Sequence, residues 1–214
     1  VNAERLVIYA GQGVHYAEAW QALKDLAELL AAPVTSSLGG KSAFPENHPL
    51  SLGSGGRSMP RPVHEFLHDA DVIFGIGCSF TNTAFGVTMP NGPKIIHSTL
   101  EPTDLNKDIE ADYALIGDAG LTLDALITEV EDRLKGKQRD SAPIAKKIQA
   151  TKKSWLDEWM PKLRSDHVPL SPYRVIWDLA QTVDTENTII THDAGSPRDQ
   201  ISPFWPSTAP LSYI

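Results

Sequence analysis

RLVIYAGQG, residues 5–13, governs the reading of everything around it. Arg5 to Ala10 is a short, almost purely apolar run, as a strand buried on both faces requires. It ends on Gly11-Gln12-Gly13. From Tyr16 to Leu30 the apolar residues Ala17, Trp20, Leu23, Leu26, Leu29 and Leu30 recur at helical spacing. Pro33-Val34-Thr35-Ser36-Ser37 follows as a second strand. Strand, glycine turn, helix, strand is a βαβ unit, which implies a parallel sheet with a right-handed crossover.

The rhythm continues downstream. Asp71 to Gly77 reads as a third strand, Lys94 to Leu100 as a fourth and Tyr113 to Gly117 as a fifth. An amphipathic helix is expected from Ala119 to about Leu134, its buried side marked by Leu121, Leu123, Leu126, Ile127, Val130 and Leu134. KGKQRDSAP, residues 135–143, is a polar linker. Beyond it Ile144, Ile148, Trp155, Leu156 and Trp159 line a helix opposite Lys146, Lys147, Lys152 and Lys153, read as a packing helix with a solvated lysine face. Ser171 and Pro172 start another helix. NTIITHDAG, residues 187–195, would be a sixth strand whose helix is incomplete. The expected fold is α/β: an open, doubly wound parallel sheet of about six strands with flanking helices. Linker helices and the start of a second α/β domain follow. The segments are 1–135, 136–170 and 171–214. Because the chain opens just before a strand and ends soon after starting a new unit, it is expected to be a section of a longer protein.

Hydrophobic residues at 41% and charged residues at 21% are the mix of a globular protein with a real core. A net charge of -8 argues against nucleic acid as a partner, since phosphate neutralisation needs a surplus of Lys and Arg. The single Cys78 excludes a disulfide framework and reads as a small inert core residue. With no signal peptide and no membrane-spanning run, a cytoplasmic protein that engages no membrane is expected.

Gly11 and Gly13 stand where a nucleotide-binding protein places its phosphate-facing turn, although Tyr16 replaces the third glycine of the dinucleotide fingerprint. A purely structural turn accounts for them equally. A second glycine cluster, LGSGGRSMPRPVHEF, precedes a helix near Val63 to Asp69. It brings Arg57 and Arg61, which would hold an anion or decorate a surface loop. Gly39-Gly40-Lys41 sets a cation beside small polar donors at the end of the second strand. His192, Asp193 and Ser196 look triad-like in print, but consecutive strand residues face opposite sides and no G-x-S-x-G elbow surrounds Ser196. No histidine pair has metal-ligand spacing. No self-sufficient catalytic constellation is present, and no metal ligand is assigned.

In order, VIYAGQGV, ELLAAPVTSSLGGKSAFPENHPLSLG, ADVIFGIGCSF, KIIHSTLEPTDLNKD and ADYALIGDA resemble the central region of thiamine diphosphate-dependent enzymes of the acetolactate synthase type. That superfamily includes benzoylformate decarboxylase and the oxalyl- and 2-hydroxyacyl-CoA decarboxylases and lyases. The likeness covers residues 5 to 134 almost throughout, and Gly40 to Pro49 (G-K-x-x-F-P-E-x-H-P) is its most specific part.

The resemblance implies an enzyme that makes or breaks a carbon–carbon bond beside a carbonyl of a small-molecule substrate, with thiamine diphosphate and Mg2+ as cofactors. It implies an N-terminal pyrimidine-binding domain, a C-terminal diphosphate-binding domain and a homodimer or homotetramer, with the 214-residue chain inactive alone. The tail then corresponds to the first strand and helix of the diphosphate domain. Gly195 and Ser196 would cradle the diphosphate there, and Pro197 offers no donor. The family's central sheet often carries FAD or the ADP portion of coenzyme A. By position Gly11, Gly13, Gly39, Lys41, Ser79 and Glu101 would surround such a nucleotide, Glu101 accepting from a ribose hydroxyl. FAD is less favoured than ADP or CoA. Acetolactate synthases carry an arginine where Ser79 stands and an aspartate at Thr99, each contact worth about 1.5–3 kcal/mol. The alternative reading is a stand-alone nucleotide- or FAD-binding module of the electron-transfer flavoprotein kind. A sirtuin-like deacylase is disfavoured by the missing zinc cysteines.

Overall fold

In the computed structural model, which describes residues 1–214, one parallel sheet contains Leu6–Ala10 (β1), Val34–Ser36 (β2), Ser51–Ser54 (β3), Val72–Ile76 (β4), Lys94–Thr99 (β5) and Tyr113–Ile116 (β6). The order is β3-β2-β1-β4-β5-β6, with every pair parallel. The chain therefore builds outward from β1 to β3, returns to the other side of β1, and builds outward again. That reversal leaves a crevice between the carboxyl ends of β1 and β4.

The apolar runs explain the central strands. Val7, Ile8, Ala10, Ile73, Phe74 and Ile76 are all buried, because helices cover both faces of β1 and β4. Trp20–Leu30 (α2) packs on Ala119–Leu134 (α4), and Arg61–Asp69 (α3) packs on Ala142–Leu163 (α5). Leu23 and Leu26 of α2 and Leu123 of α4 are essentially inaccessible. Each such side chain contributes about 1.5–3 kcal/mol by leaving water. Asp118 starts α4 by accepting from the N–H groups of Gly120 (2.9 Å) and Leu121 (3.1 Å).

Four sequence expectations are corrected. Leu121 of α4 is exposed and not on its buried side. The sixth strand of the sheet is β3, not Asn187–Gly195. There only Ile190 pairs, in a parallel bridge to Tyr213, with Ile190 N–H to Ser212 O at 3.0 Å and Ile214 N–H to Ile190 O at 2.9 Å. Ser196–Ile201 (α7) lies between the two residues of this single parallel bridge. The expected helix from Tyr16 is broken. A short turn of helix at Gly13–Tyr16 (α1) ends before Glu18, whose φ of 48° stops it, and α2 begins at Trp20. Lys152 is not on a fully solvated face: it is half-buried, and its Nζ donates to Glu46 O at 3.3 Å.

The polar stretch before α5 is tied down: Gln138 donates to Glu28 O at 3.3 Å, and Arg139 donates to Ala3 O at 3.2 Å. The helix Pro172–Thr182 (α6) has Ser171 at its N-cap position, without a side-chain capping bond. Leu163, Ile176 and Phe204 form a second, smaller core around it, where Trp155 and Phe204 stack at 5.2 Å.

Candidate functional site

The crevice at the strand ends has a volume of about 500 Å³. The turns after β1 and β4 form its floor, and Leu38 and Gly39 after β2 one wall. Thr99 to Glu101 after β5 line another side. Of the residues singled out by sequence, Gly11, Gly13, Gly39, Ser79 and Glu101 are brought together here. A larger cavity of about 720 Å³ lies at the opposite, amino-terminal end of β1, among Arg5, Phe66, Arg139 and Lys147. Topology favours the carboxyl-end crevice for ligands, because loops there are free to vary.

The glycines of the floor exist for backbone contact. A Cβ on Gly11 would lie 2.2 Å from Gly77 O, and one on Gly13 would lie 2.7 Å from Gly77 Cα. The two turns interlock: Gly11 N–H donates to Ile76 O at 2.9 Å and Gly13 N–H to Gly77 O at 2.8 Å. Neither amide is left for a phosphate. Below the floor, Tyr9 stacks on Phe80 at 5.5 Å, and His97 meets Phe80 edge-on at 4.8 Å.

Charge in the crevice has one sign. Glu101, Asp104 and Asp118 line it, and none of the lining residues is Lys, Arg or His. Hydrogen bonds from Thr103 N–H (3.1 Å) and Oγ1 (2.8 Å) hold the Glu101 carboxyl below its ordinary range, so it is ionised at neutral pH. Asp118 fills the amino terminus of α4 with its own carboxylate, the position an anionic ligand would otherwise take. A nucleotide diphosphate does not fit this set: the acids repel it, and the Gly11, Gly13 and α4 amides that would receive it are already engaged.

Lys41 does not join the crevice. Its side chain is fully buried, with Nζ 2.5 Å from Glu46 Oε1. Burial pulls this ammonium below its ordinary range, and Glu46 opposes the shift. Arg57 and Arg61 do not converge on an anion either. Arg57 is exposed, and Arg61 makes a two-pronged bond to Glu158 of α5, one arm at 2.7 Å. Gly195 and Ser196 are exposed at the start of α7, and Gly195 adopts φ 90° with nothing near where a Cβ would stand. That turn leaves the Ser196 N–H and hydroxyl open to an anion, while Pro197 contributes no donor. His192 accepts no role with Ser196: its Nδ1 lies 3.0 Å from the Asp193 carbonyl oxygen.

Cys78 lies behind the β4 turn, where burial pushes its thiol up to about 12. Ellman's reagent at about pH 8 should therefore leave native protein unlabelled and react fully after denaturation. Rapid native labelling would contradict the packing. Sequence reasoning passed over Asp104, Asp118 and Glu46. Asp118 was accessible to it, since Asp-Ala-Gly after a strand and before an apolar-periodic segment is a helix-start signature.

No group of three or more His, Cys, Asp or Glu converges as a metal site, and no helix is long and apolar enough to cross a membrane. The family model for the thiamine pyrophosphate enzyme central domain matches residues 1–126. The chain is 31% identical over 225 residues to a probable acetolactate synthase large subunit of Methanococcus aeolicus, covering 100% of this chain and 37% of that protein. It is 32% identical to the corresponding Methanocaldococcus jannaschii protein, over 100% of this chain and 36% of the relative. Identity to a glyoxylate carboligase of Escherichia coli O157:H7 is 31%, over 89% of this chain and 32% of that protein.

Proposed function

The chain belongs to the thiamine pyrophosphate enzyme central-domain family, and from that premise we propose that it is the middle section of an enzyme acting on 2-keto acids. That enzyme makes or breaks a carbon–carbon bond next to a carbonyl, as a lyase or transferase. Because the chain spans only about 37% of the relatives it matches, this activity is assigned to the longer protein. The observation that carries the reading is the parallel Ile190–Tyr213 pair flanking α7. In this reading a second βαβ unit begins there, directly after the central sheet and its helices.

Residues 1–135 are assigned as the central domain, 136–170 as linker and packing helix, and 171–214 as the opening of the diphosphate-binding domain. Thiamine diphosphate, when bound, supplies the electron sink for this chemistry. Within this chain Gly195 and Ser196 would hold its diphosphate, through the open turn and the Ser196 hydroxyl. Magnesium ligands and the glutamate facing the pyrimidine are assigned to flanking domains, and a cytoplasmic homodimer or homotetramer completes the reading. The crevice is assigned no FAD, ADP or CoA, which also weighs against a stand-alone flavin module.

Incubating the 214-residue chain with glyoxylate, thiamine diphosphate and Mg2+ should release no CO2. The same sequence joined to an amino-terminal pyrimidine domain and a complete diphosphate domain should release it in a cofactor-dependent way. Turnover by the short chain would end the partition into domains. Failure of the joined protein on any 2-keto acid would end the enzymatic reading.

A further inference from the structure

Lys41 is a cation with no access to solvent, and its whole setting leads from the crevice floor to the carboxyl-terminal arm. Its backbone is fixed from below. Gly40 presses so closely on β1 that a Cβ there would lie 2.4 Å from Ala10 O. Trp20 Nε1 donates to His15 Nδ1 at 2.9 Å, which leaves the His15 Nε2 proton to donate to Lys41 O at 2.9 Å. From this anchored position Nζ reaches Glu46 Oε1 at 2.5 Å.

Glu46 in turn grips the arm twice. Its Oε2 accepts from Ser207 N–H at 3.1 Å, and its own N–H donates to Ser207 O at 2.9 Å. Lys41 Nζ also lies 5.1 Å from the centre of the Tyr213 ring, and Tyr213 is the residue paired with Ile190. The rest of the arm's interface is poorly suited to choose a register. Arg198, Trp205, Ser207, Thr208, Ser212 and Tyr213 each present a buried side-chain polar atom without a protein partner. Apolar packing by Phe204 and Trp205 buries the arm but is non-directional. A buried ion pair with satisfied hydrogen bonds is directional, and its best-attested use is to specify one arrangement among several.

We propose that Lys41 and Glu46 are positioning residues that clasp residues 202–214 to the central sheet. Through that arm they fix the Ile190–Tyr213 strand pair and the Gly195–Ser196 turn relative to the crevice. The significance for a diphosphate rests on the functional reading above; the clasp itself does not.

The test is amide exchange by NMR on the whole 214-residue chain. Lys41→Met/Glu46→Leu removes both charges of the pair together, leaving half-buried Lys152 its backbone acceptor Glu46 O but no nearby carboxylate, and it leaves Ser207 N–H without an acceptor. Exchange at Ser207, Ile190 and Ile214 should rise about tenfold or more, while Ile8 and Phe74 keep their protection. A pair that only contributed bulk stability would raise exchange across the sheet and arm alike. Ser207→Pro removes the same donor with the ion pair intact, and should free the Ile190 and Ile214 amides even if the double variant folds poorly. Native-like protection at Ile190 and Ile214 in either folded variant overturns the clasp. No readout involves cofactor, so this outcome and the fate of the enzymatic reading are independent.

Discussion

Gly11→Ala is expected to destabilise the chain by about 3 kcal/mol or more, at the upper end of what overpacking costs. The methyl would sit 2.2 Å from Gly77 O and 2.5 Å from Cys78 Cα, both backbone atoms of the neighbouring central strand's turn. Neither can swing aside as a side chain would, and separating the turns breaks the bonds from Gly11 to Ile76 and from Gly13 to Gly77. Against a total stability of roughly 5–15 kcal/mol, this is a large fraction. The thermal midpoint should fall by roughly 6–12 °C. Gly39→Ala is the internal control. It lines the same crevice, but its Cβ would meet only the flexible Gln12 side chain at 3.4 Å. Its cost should stay within about 0.5 kcal/mol. Equal effects at both positions would refute the assignment of Gly11 to packing.

Titration of FAD, ADP or CoA into the chain should give no saturable heat up to about 1 mM, a limit corresponding to roughly 4 kcal/mol of binding. Placing a diphosphate among Glu101, Asp104 and Asp118 juxtaposes like charges, which costs several kcal/mol. The usual compensations are spent within the protein. The turn amides serve β4, the α4 terminus serves Asp118, and Lys41 serves Glu46. Arg198 does not rescue the site: it lies over the Phe85 ring at 4.5 Å and bonds Asp199. Asp118→Asn with Glu101→Gln should relieve the repulsion without creating tight binding, since no cation is added. Micromolar uptake of any of the three nucleotides by the unaltered chain would overturn this account of the crevice.

These two expectations separate what was legible in the sequence from what was not. The strands at Leu6, Val34, Val72, Lys94 and Tyr113 were readable to within a residue or two, because each is an apolar run between turn residues, although the edge run at Tyr113–Ile116 is exposed and not buried. β3 was not readable. Ser51-Leu52-Gly53-Ser54 has weak strand propensity, and it becomes a strand through pairing with β2 across an irregular register. The stripe from Ala17 to Leu30 looked continuous because spacing does not register one residue in a left-handed conformation. Glu18 breaks it.

The site divides along the same line. Residue type and order placed Gly11, Gly13 and Gly39 at strand ends, the family resemblance added Ser79 and Glu101, and strand ends meet in a parallel sheet. They could not say where each amide proton points, or that Lys41 turns inward to an acid five residues on. Apolar periodicity is a local signal, so the chain determined its own elements and their parallel sense. Hydrogen-bond partners and buried charge pairs are set by segments brought together from far along the chain. Only the folded arrangement decided that the glycine turns lock to each other, and that the lysine clasps the arm.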